Sequence, residues 1–402
     1  MHISLFLNSP PLVHSRIIDD RSIYTITLNP FVSLAIYLLY SLPLLYLNLF
    51  MASSPNYAPP FSQCFLSQRN QQDIERDEQI YSSYEKLASQ LPIFNDWSPF
   101  SLRHYQSFWM PAMFIPACMA IQSHFNPRPS DILLVTSPKS GTTWLKALSF
   151  ATLHRHSFSF SDHPLLSNTP HQCVPFLESL FSHRTIPDLN VLPSPTIFAA
   201  HLPFPLLPQS ALSCRIVYLC RDPKDTFVSL WHFFERSRIS LSTEDKSEGL
   251  DLNKAFQLFS QGMAPGGPFW DRVLGYWKES LRRPEKVLFL RYEEMMEDPV
   301  SHLRKLAEFI GCPFSTEEEK NGVVEDIVKL CSFDNLRELK VNKDNKASLE
   351  DKRPPPSSFF RKGKVGDWVN YLSMEMAESL DAITKEKLHG SGLSFESSTV
   401  LP

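Results

Sequence analysis

Residues 131–148 read DILLVTSPKSGTTWLKAL, and the order of properties along them decides the fold. Ile132 to Val135 form an apolar run with no polar alternation, the pattern of a strand buried on both faces of a parallel sheet. A tight turn follows at 137–141, then an amphipathic stretch over 143–154 at helical spacing. Such a strand–turn–helix aims successive backbone N–H groups at one point, and the helix dipole adds positive potential there. Lys139 supplies a full charge. Thr142 and Thr143 supply hydroxyls and can cap the helix. Gly141 lets the backbone approach an anion with no Cβ in the way. Its placement is unusual: the chain has 12 glycines, and Gly141 is the only one before residue 249. Average usage of about 7% would give roughly 28. The segment does not match the G-x-x-x-x-G-K-[ST] loop, because the lysine precedes the glycine and a first glycine is missing. An ATPase or kinase is therefore disfavoured.

Three further apolar runs lie downstream: 196–200 (TIFAA), 215–220 (RIVYLC) and 286–290 (KVLFL). They alternate with helical stretches at 224–235, 270–280 and 300–310. The pattern predicts a single α/β domain, with a central parallel sheet flanked by helices and a P-loop-like strand–turn–helix. A second anion feature is Arg221, at the carboxyl end of the third run, where open α/β sheets bind ligands. Asp222 can cap the next helix and Pro223 suits its first turn. Ser229 lies about two turns inside, so only its side chain could reach a ligand. A third is the run Arg361-Lys362-Gly363-Lys364, which could equally be a solvated loop. Three separated anion features suggest a ligand with more than one phosphate-like group. Aromatics crowd residues 97–125 and read as core and helix packing, with the wall of an acceptor pocket as the alternative. Residues 75–91 could hold one short helix in a loosely ordered polar stretch. Residues 238–252 read as a surface loop and 343–358 as a mobile flap.

Charge excludes one class of partner. Lys and Arg number 39 against 43 Asp and Glu, a net −4, which gives no reason to expect nucleic acid. The seven cysteines are widely spaced, with no C-x-x-C, which speaks against a disulfide framework or zinc site. The chain has no N-x-S/T sequon, consistent with a reducing setting. Residues 31–50 (FVSLAIYLLYSLPLLYLNLF) are uncharged and long enough to span a bilayer, although Pro43 and Asn48 weaken the case. Met51-Ala52-Ser53-Ser54 also reads as an ordinary initiator. Two readings of the leader stand side by side, a membrane anchor and a segment outside the working chain.

Several motifs occur together and in order: 137–148 (SPKSGTTWLKAL), 199–203 (AAHLP), 217–230 (VYLCRDPKDTFVSL), 289–295 (FLRYEEM), 330–336 (LCSFDNL) and 359–368 (FFRKGKVGDW). Over residues 95–395 the chain resembles the cytosolic sulfotransferases, most of all the plant soluble class that includes flavonol and hydroxyjasmonate enzymes. Composition sets off an apolar leader (1–50) and a polar extension (51–95), and the resemblance implies a sulfotransferase domain over the rest (96–402). It implies 3′-phosphoadenosine 5′-phosphosulfate (PAPS) as co-substrate and no metal. The expected partner is a small hydroxylated acceptor: a flavonoid, a hydroxyjasmonate, a sterol or another phenol. A cytoplasmic location is expected, or a membrane-anchored one if residues 31–50 are retained.

The resemblance also assigns residues. Lys139, Ser140, Gly141, Thr142, Thr143 and Trp144 would hold the 5′-phosphosulfate. Arg221, Ser229, Arg361, Lys362 and Gly363 would hold the 3′-phosphate. Tyr292, Trp144 and Phe333 would contact the adenine, and Ser332 would also bind the co-substrate. His201 would be the general base, and Lys139 would stabilise the leaving phosphate. By itself His201, between apolar neighbours, would read as structural. As a base, a neutral imidazole near pH 7 suits a phenol of pKa about 10. Two positions depart from the family: Ala200, where Thr or Ser is usual, and Lys364, where the residue is often acidic or neutral. The family's dimer motif K-x-x-x-T-V-x-x-x-E survives only at Glu378, which leaves the oligomeric state open.

Overall fold

The computed structural model describes residues 15–19, 22–26, 69–97, 100–241, 249–343 and 355–395. The apolar leader 31–50 and most of the expected flap lie outside the described residues. The chain divides into residues 1–58 and 59–402. In the first unit Ser15–Asp19 (β1) and Ser22–Ile26 (β2) pair antiparallel, with Ser15 opposite Ile26.

The second unit carries two sheets. The smaller is antiparallel, with order Ile93–Phe94 (β3), Leu102–Tyr105 (β4) and Phe108–Pro111 (β5). The larger contains Ile132–Thr136 (β6), Ile197–Ala200 (β7), Arg215–Cys220 (β8) and Val287–Arg291 (β9). All its pairings are parallel and its order is β7-β6-β8-β9. These are the four apolar runs, displaced by no more than a residue at their ends. Every residue of β6 and β7 is buried, because helices cover both faces. The principal helices, in chain order, are Gln71–Ser89 (α1), Ile115–His124 (α2), Thr142–His154 (α3), Pro170–Cys173 (α4), Leu177–Leu180 (α5), Pro223–Leu241 (α6), Leu252–Ser260 (α7) and Phe269–Arg282 (α8). They continue with Tyr292–Glu297 (α9), Pro299–Phe309 (α10), Thr316–Lys320 (α11), Val323–Leu330 (α12), Phe333–Glu338 (α13) and Met374–Leu388 (α14).

The order of the sheet locates the ligand crevice. The chain runs from β6 to β7 on one side, then crosses to β8 on the other side of β6. The direction of winding therefore reverses between β6 and β8, and a crevice opens beyond their carboxyl ends. The loops leaving those two ends carry Lys139 and Arg221.

Three local expectations need correction. The aromatic stretch 97–125 is not only helix and core, since β4 and β5 form a hairpin inside it. The turn Gln106-Ser107 has φ of +47° and +72° at both positions. That is the backbone of a two-residue hairpin turn, for which Asn-Gly is the usual signal, so sequence did not announce it. A ring contact, His104 to Trp109 at 4.9 Å, joins its strands, and Phe94 of β3 meets Trp109 at 5.8 Å. Next, the expected loop at 238–252 is shortened from both sides, because α6 runs to Leu241 and α7 starts at Leu252. Finally, α1 is longer than the helix expected at 75–91 and is tied to the domain. Asn70 caps it by accepting from the Asp73 N–H at 2.9 Å. Tyr81, 1% exposed, donates to the Phe181 carbonyl at 2.5 Å, and buried Asp77 accepts from the Ile186 N–H at 2.7 Å. Among the described residues no helix is long and apolar enough to cross a membrane.

Candidate active site

The turn after β6 has the backbone of an anion cradle. Lys139 and Gly141 both adopt left-handed conformations, with φ of +68° and +105°. Such residues alternate N–H directions and form a concavity for negative charge. The first turn of α3 adds N–H groups that have no partner inside the helix. Gly141 is needed twice: for its φ, and because a Cβ there would lie 2.8 Å from Tyr292 Cδ2. Ser140 is buried, with its hydroxyl 3.4 Å from that of Thr226. The Lys139 ammonium lies 4.2 Å from the centre of the Phe233 ring and 5.5 Å from that of Phe359. Burial first, then the cations Arg361, Arg236 and Arg221, push its pKa down to about 7. An anion among these groups would relieve that repulsion.

The second cradle is built from the end of β8 and a distant strap. Buried Arg221 donates to the Lys364 carbonyl at 2.6 Å, pairs with Asp225 at 3.2 Å and lies 4.7 Å from the centre of the Tyr292 ring. Asp225 accepts from the N–H groups of Gly366 at 2.8 Å and Trp368 at 3.1 Å, so it anchors the strap. Ser229 is buried one turn further along the same face of α6. Arg361 is held by an ion pair with Asp367. Gly363 has φ +62°, and a Cβ there would lie 2.4 Å from the Phe333 ring, so the strap rests its backbone on that ring. Lys362 and Lys364 are exposed. The departure at Lys364 is thus accommodated, because its carbonyl and not its side chain meets Arg221. Tyr292 meets Trp144 edge to face at 5.6 Å. Ser332 spends its hydroxyl on capping α13, accepting from the Asn335 N–H at 3.3 Å.

His201 follows β7. Its Nδ1 lies 2.9 Å from the Thr136 carbonyl, which can only accept. Nδ1 therefore carries the proton, and Nε2 keeps a free lone pair. Burial pulls the imidazole down to about 3, against the hydrogen bond to Thr136, so it is neutral at physiological pH. Both backbone groups of His201 are also held: its N–H donates to Glu178 Oε1 at 2.5 Å, and its carbonyl accepts from Arg272. Arg272 is fully buried and is braced by the Gly266 carbonyl at 2.8 Å. Ala200 leaves no hydroxyl before the histidine, but Thr136 presents one from the neighbouring strand, 3.2 Å from Nδ1.

Contacts thus join Lys139, Gly141, Trp144, Arg221, Tyr292, Phe333, Arg361 and Gly363 into adjoining cradles, while Ser332 faces its own helix. Sequence reasoning missed Phe233, Phe359, Asp225, Glu178 and Arg272. The FFRKGK and VPFLE segments carried a signal for Phe359 and Glu178; nothing local marked Arg272. The site fits a nucleotide with phosphates at both ends. The Nε atoms of Arg221 and Arg361 are buried without a partner, a costly state that a phosphate oxygen would relieve. The two glycines leave open the room that a Cβ would fill. Among the described residues no group of three or more His, Cys, Asp or Glu is placed to hold a metal.

Comparison with known proteins agrees with this geometry. Residues 129–392 match the sequence model of the sulfotransferase domain family. Cytosolic sulfotransferase 15 of Arabidopsis thaliana is 44% identical over 361 residues, covering 86% of this chain and 98% of that protein. A solved Arabidopsis thaliana sulphotransferase is 36% identical, with TM-score 0.62, and covers 82% of this chain and 99% of its own. Mouse sulfotransferase SULT7A1, solved with PAP, is 26% identical, with TM-score 0.53 over 72% of this chain and 96% of its own. By fold and by sequence the chain belongs to the sulfotransferase family, and its sulfuryl donor is 3′-phosphoadenosine 5′-phosphosulfate.

Proposed function

We propose that this enzyme sulfates a hydroxyl of a small metabolite, a flavonoid, hydroxyjasmonate, sterol or other phenol, with His201 as general base. The observation that carries the reading is the Nδ1–H of His201 held on the Thr136 carbonyl. It leaves Nε2 free to take the acceptor's proton. The bound donor supplies a sulfuryl group on a phosphate leaving group. Lys139 balances the charge that grows on the phosphate oxygen. Arg221, Ser229, Arg361, Lys362 and Gly363 hold the far phosphate, and Trp144, Tyr292 and Phe333 the base. Phe176, whose ring lies 4.8 Å from the His201 imidazole, is the acceptor-side wall. A cytoplasmic location is supported by the name of the Arabidopsis relative. The test is transfer of labelled sulfate from PAPS to a panel of phenols, hydroxyjasmonates and sterols. Sulfation of at least one class is expected; transfer to none would overturn the reading.

Lys139 makes binding of the product, adenosine 3′,5′-bisphosphate, depend on pH. Its pKa near 7 belongs to the free protein. An anionic ligand favours the ammonium and raises that pKa. Above pH 7 the free lysine must regain a proton to bind, so affinity falls as pH rises, by up to about tenfold per unit. Calorimetry in buffers of different ionisation enthalpy should show proton uptake above pH 7 in wild type and none in Lys139→Met.

A further inference from the structure

Lys146 and His171 have no part in the scheme above, yet they lie beside it. Lys146 is 0% exposed on α3, one turn from Thr143. Its amine donates to the Val174 carbonyl at 2.8 Å, meets His171 Nδ1 at 3.2 Å, and lies 3.4 Å from the centre of the Phe176 ring. A carbonyl, an imidazole nitrogen and a ring face are all acceptors, one for each N–H of an ammonium. Burial pushes the pKa of this lysine well below the ordinary lysine value, while nearby Glu178 acts against that. His171 is fixed in turn. The Thr169–Gln172 capping box sets α4, and the imidazole lies between Phe359, at 4.3 Å, and Phe176, stacked at 5.7 Å.

The tautomer follows. Since Lys146 donates to Nδ1, the ring proton is on Nε2. Nε2 lies 3.1 Å from Thr143 Oγ1 and donates to it. With its oxygen accepting there, Thr143 has its own O–H left to give. Thr143 belongs to the turn assigned to the 5′ end of the donor. We propose that Lys146, His171 and Thr143 form a hydrogen-bond relay that runs from a buried lysine to the 5′-phosphate, whose negative charge draws the proton onto the lysine amine. No covalent bond changes in the relay; each N–H or O–H is polarised by the one behind it. Lys146 and His171 are thus positioning residues. The relay favours the product-like phosphate, which carries more negative charge than the phosphate half of the phosphosulfate anhydride, and so assists departure of the leaving group.

This inference rests on the reading that residues 137–144 bind the 5′ end, and the test separates the two. Calorimetry on the full chain compares adenosine 3′,5′-bisphosphate with adenosine 3′-phosphate, which lacks the 5′ group. Wild type should bind the bisphosphate more tightly; equal binding would overturn the loop reading itself. Lys146→Met should weaken the bisphosphate about tenfold, the weight of one charge-assisted hydrogen bond, and leave the monophosphate unchanged. Thr143→Val should lose at least as much, Thr143→Ser should recover it, and the Lys146→Met/Thr143→Val double variant should lose no more than Thr143→Val alone. Retention of the wild-type preference in Lys146→Met, or equal loss for both ligands, would overturn the relay. If Lys146→Met melts early, the Lys146→Met/His171→Phe pair leaves no stranded partner and makes the same comparison.

Discussion

Replacing His201 by alanine should lower turnover by about 10²–10⁴-fold, the usual weight of a positioned general base, while adenosine 3′,5′-bisphosphate still binds as in wild type. The separation is expected because the fold around His201 is held through its backbone. Glu178 accepts its N–H and Arg272 donates to its carbonyl, both bonds to the backbone, which alanine keeps. The side chain's own hydrogen bond is to the Thr136 carbonyl. Losing it costs about 1–3 kcal/mol, less than the about 5–15 kcal/mol that holds a domain folded. The cradles at Lys139 and Arg221, proposed to hold the nucleotide, belong to the ends of other strands. Single-turnover sulfate transfer and calorimetry with the bisphosphate read the two quantities separately. Turnover near the wild-type rate would remove His201 from the mechanism. Parallel loss of binding and turnover would make it a structural residue.

Lys139→Met should lower kcat by about 10²–10³-fold, the range found when one preorganised donor to a developing oxyanion is removed. Methionine keeps an unbranched stem against Phe233 and Phe359, the rings that lie under the ammonium. It also keeps a side chain that can occupy the same left-handed backbone, φ +68°, at no new steric cost. What disappears is the charge. In the free protein that charge is disfavoured by burial and by Arg361, Arg236 and Arg221. The variant should therefore melt at a higher temperature than wild type without ligand, as happens when a strained functional group is removed. It should also gain less from added bisphosphate. Thermal melts with and without ligand, beside steady-state kinetics, check both halves. Unchanged kcat would exclude Lys139 from stabilising the leaving group.

Much of the fold could be read from residues alone, because the rules involved are local. Four uninterrupted apolar runs became the four parallel strands, since a strand covered on both faces needs no polar alternation. Gly141 stood out for the same kind of reason: a left-handed turn against Tyr292 excludes a Cβ. Arg221 could be placed at a strand's carboxyl end from its position after RIVYLC. The hairpin at β4 and β5 escaped because Gln106 and Ser107 adopt a glycine-like backbone without the usual residues.

The protonation and contacts of the candidate site belong to another level. Thr136 sets the tautomer of His201 from 65 residues away, and Arg272 holds the His201 carbonyl across 71. Asp225 anchors the strap through Gly366, 141 residues distant. Which nitrogen carries a proton depends on the partner brought opposite it, and burial sets how readily a charge forms there. By itself the sequence determined the strands, the anion-cradling turn and the family. Only the tertiary structure decided which groups face one another, and with that the protonation of His201, the position of the strap and the surroundings of Lys146.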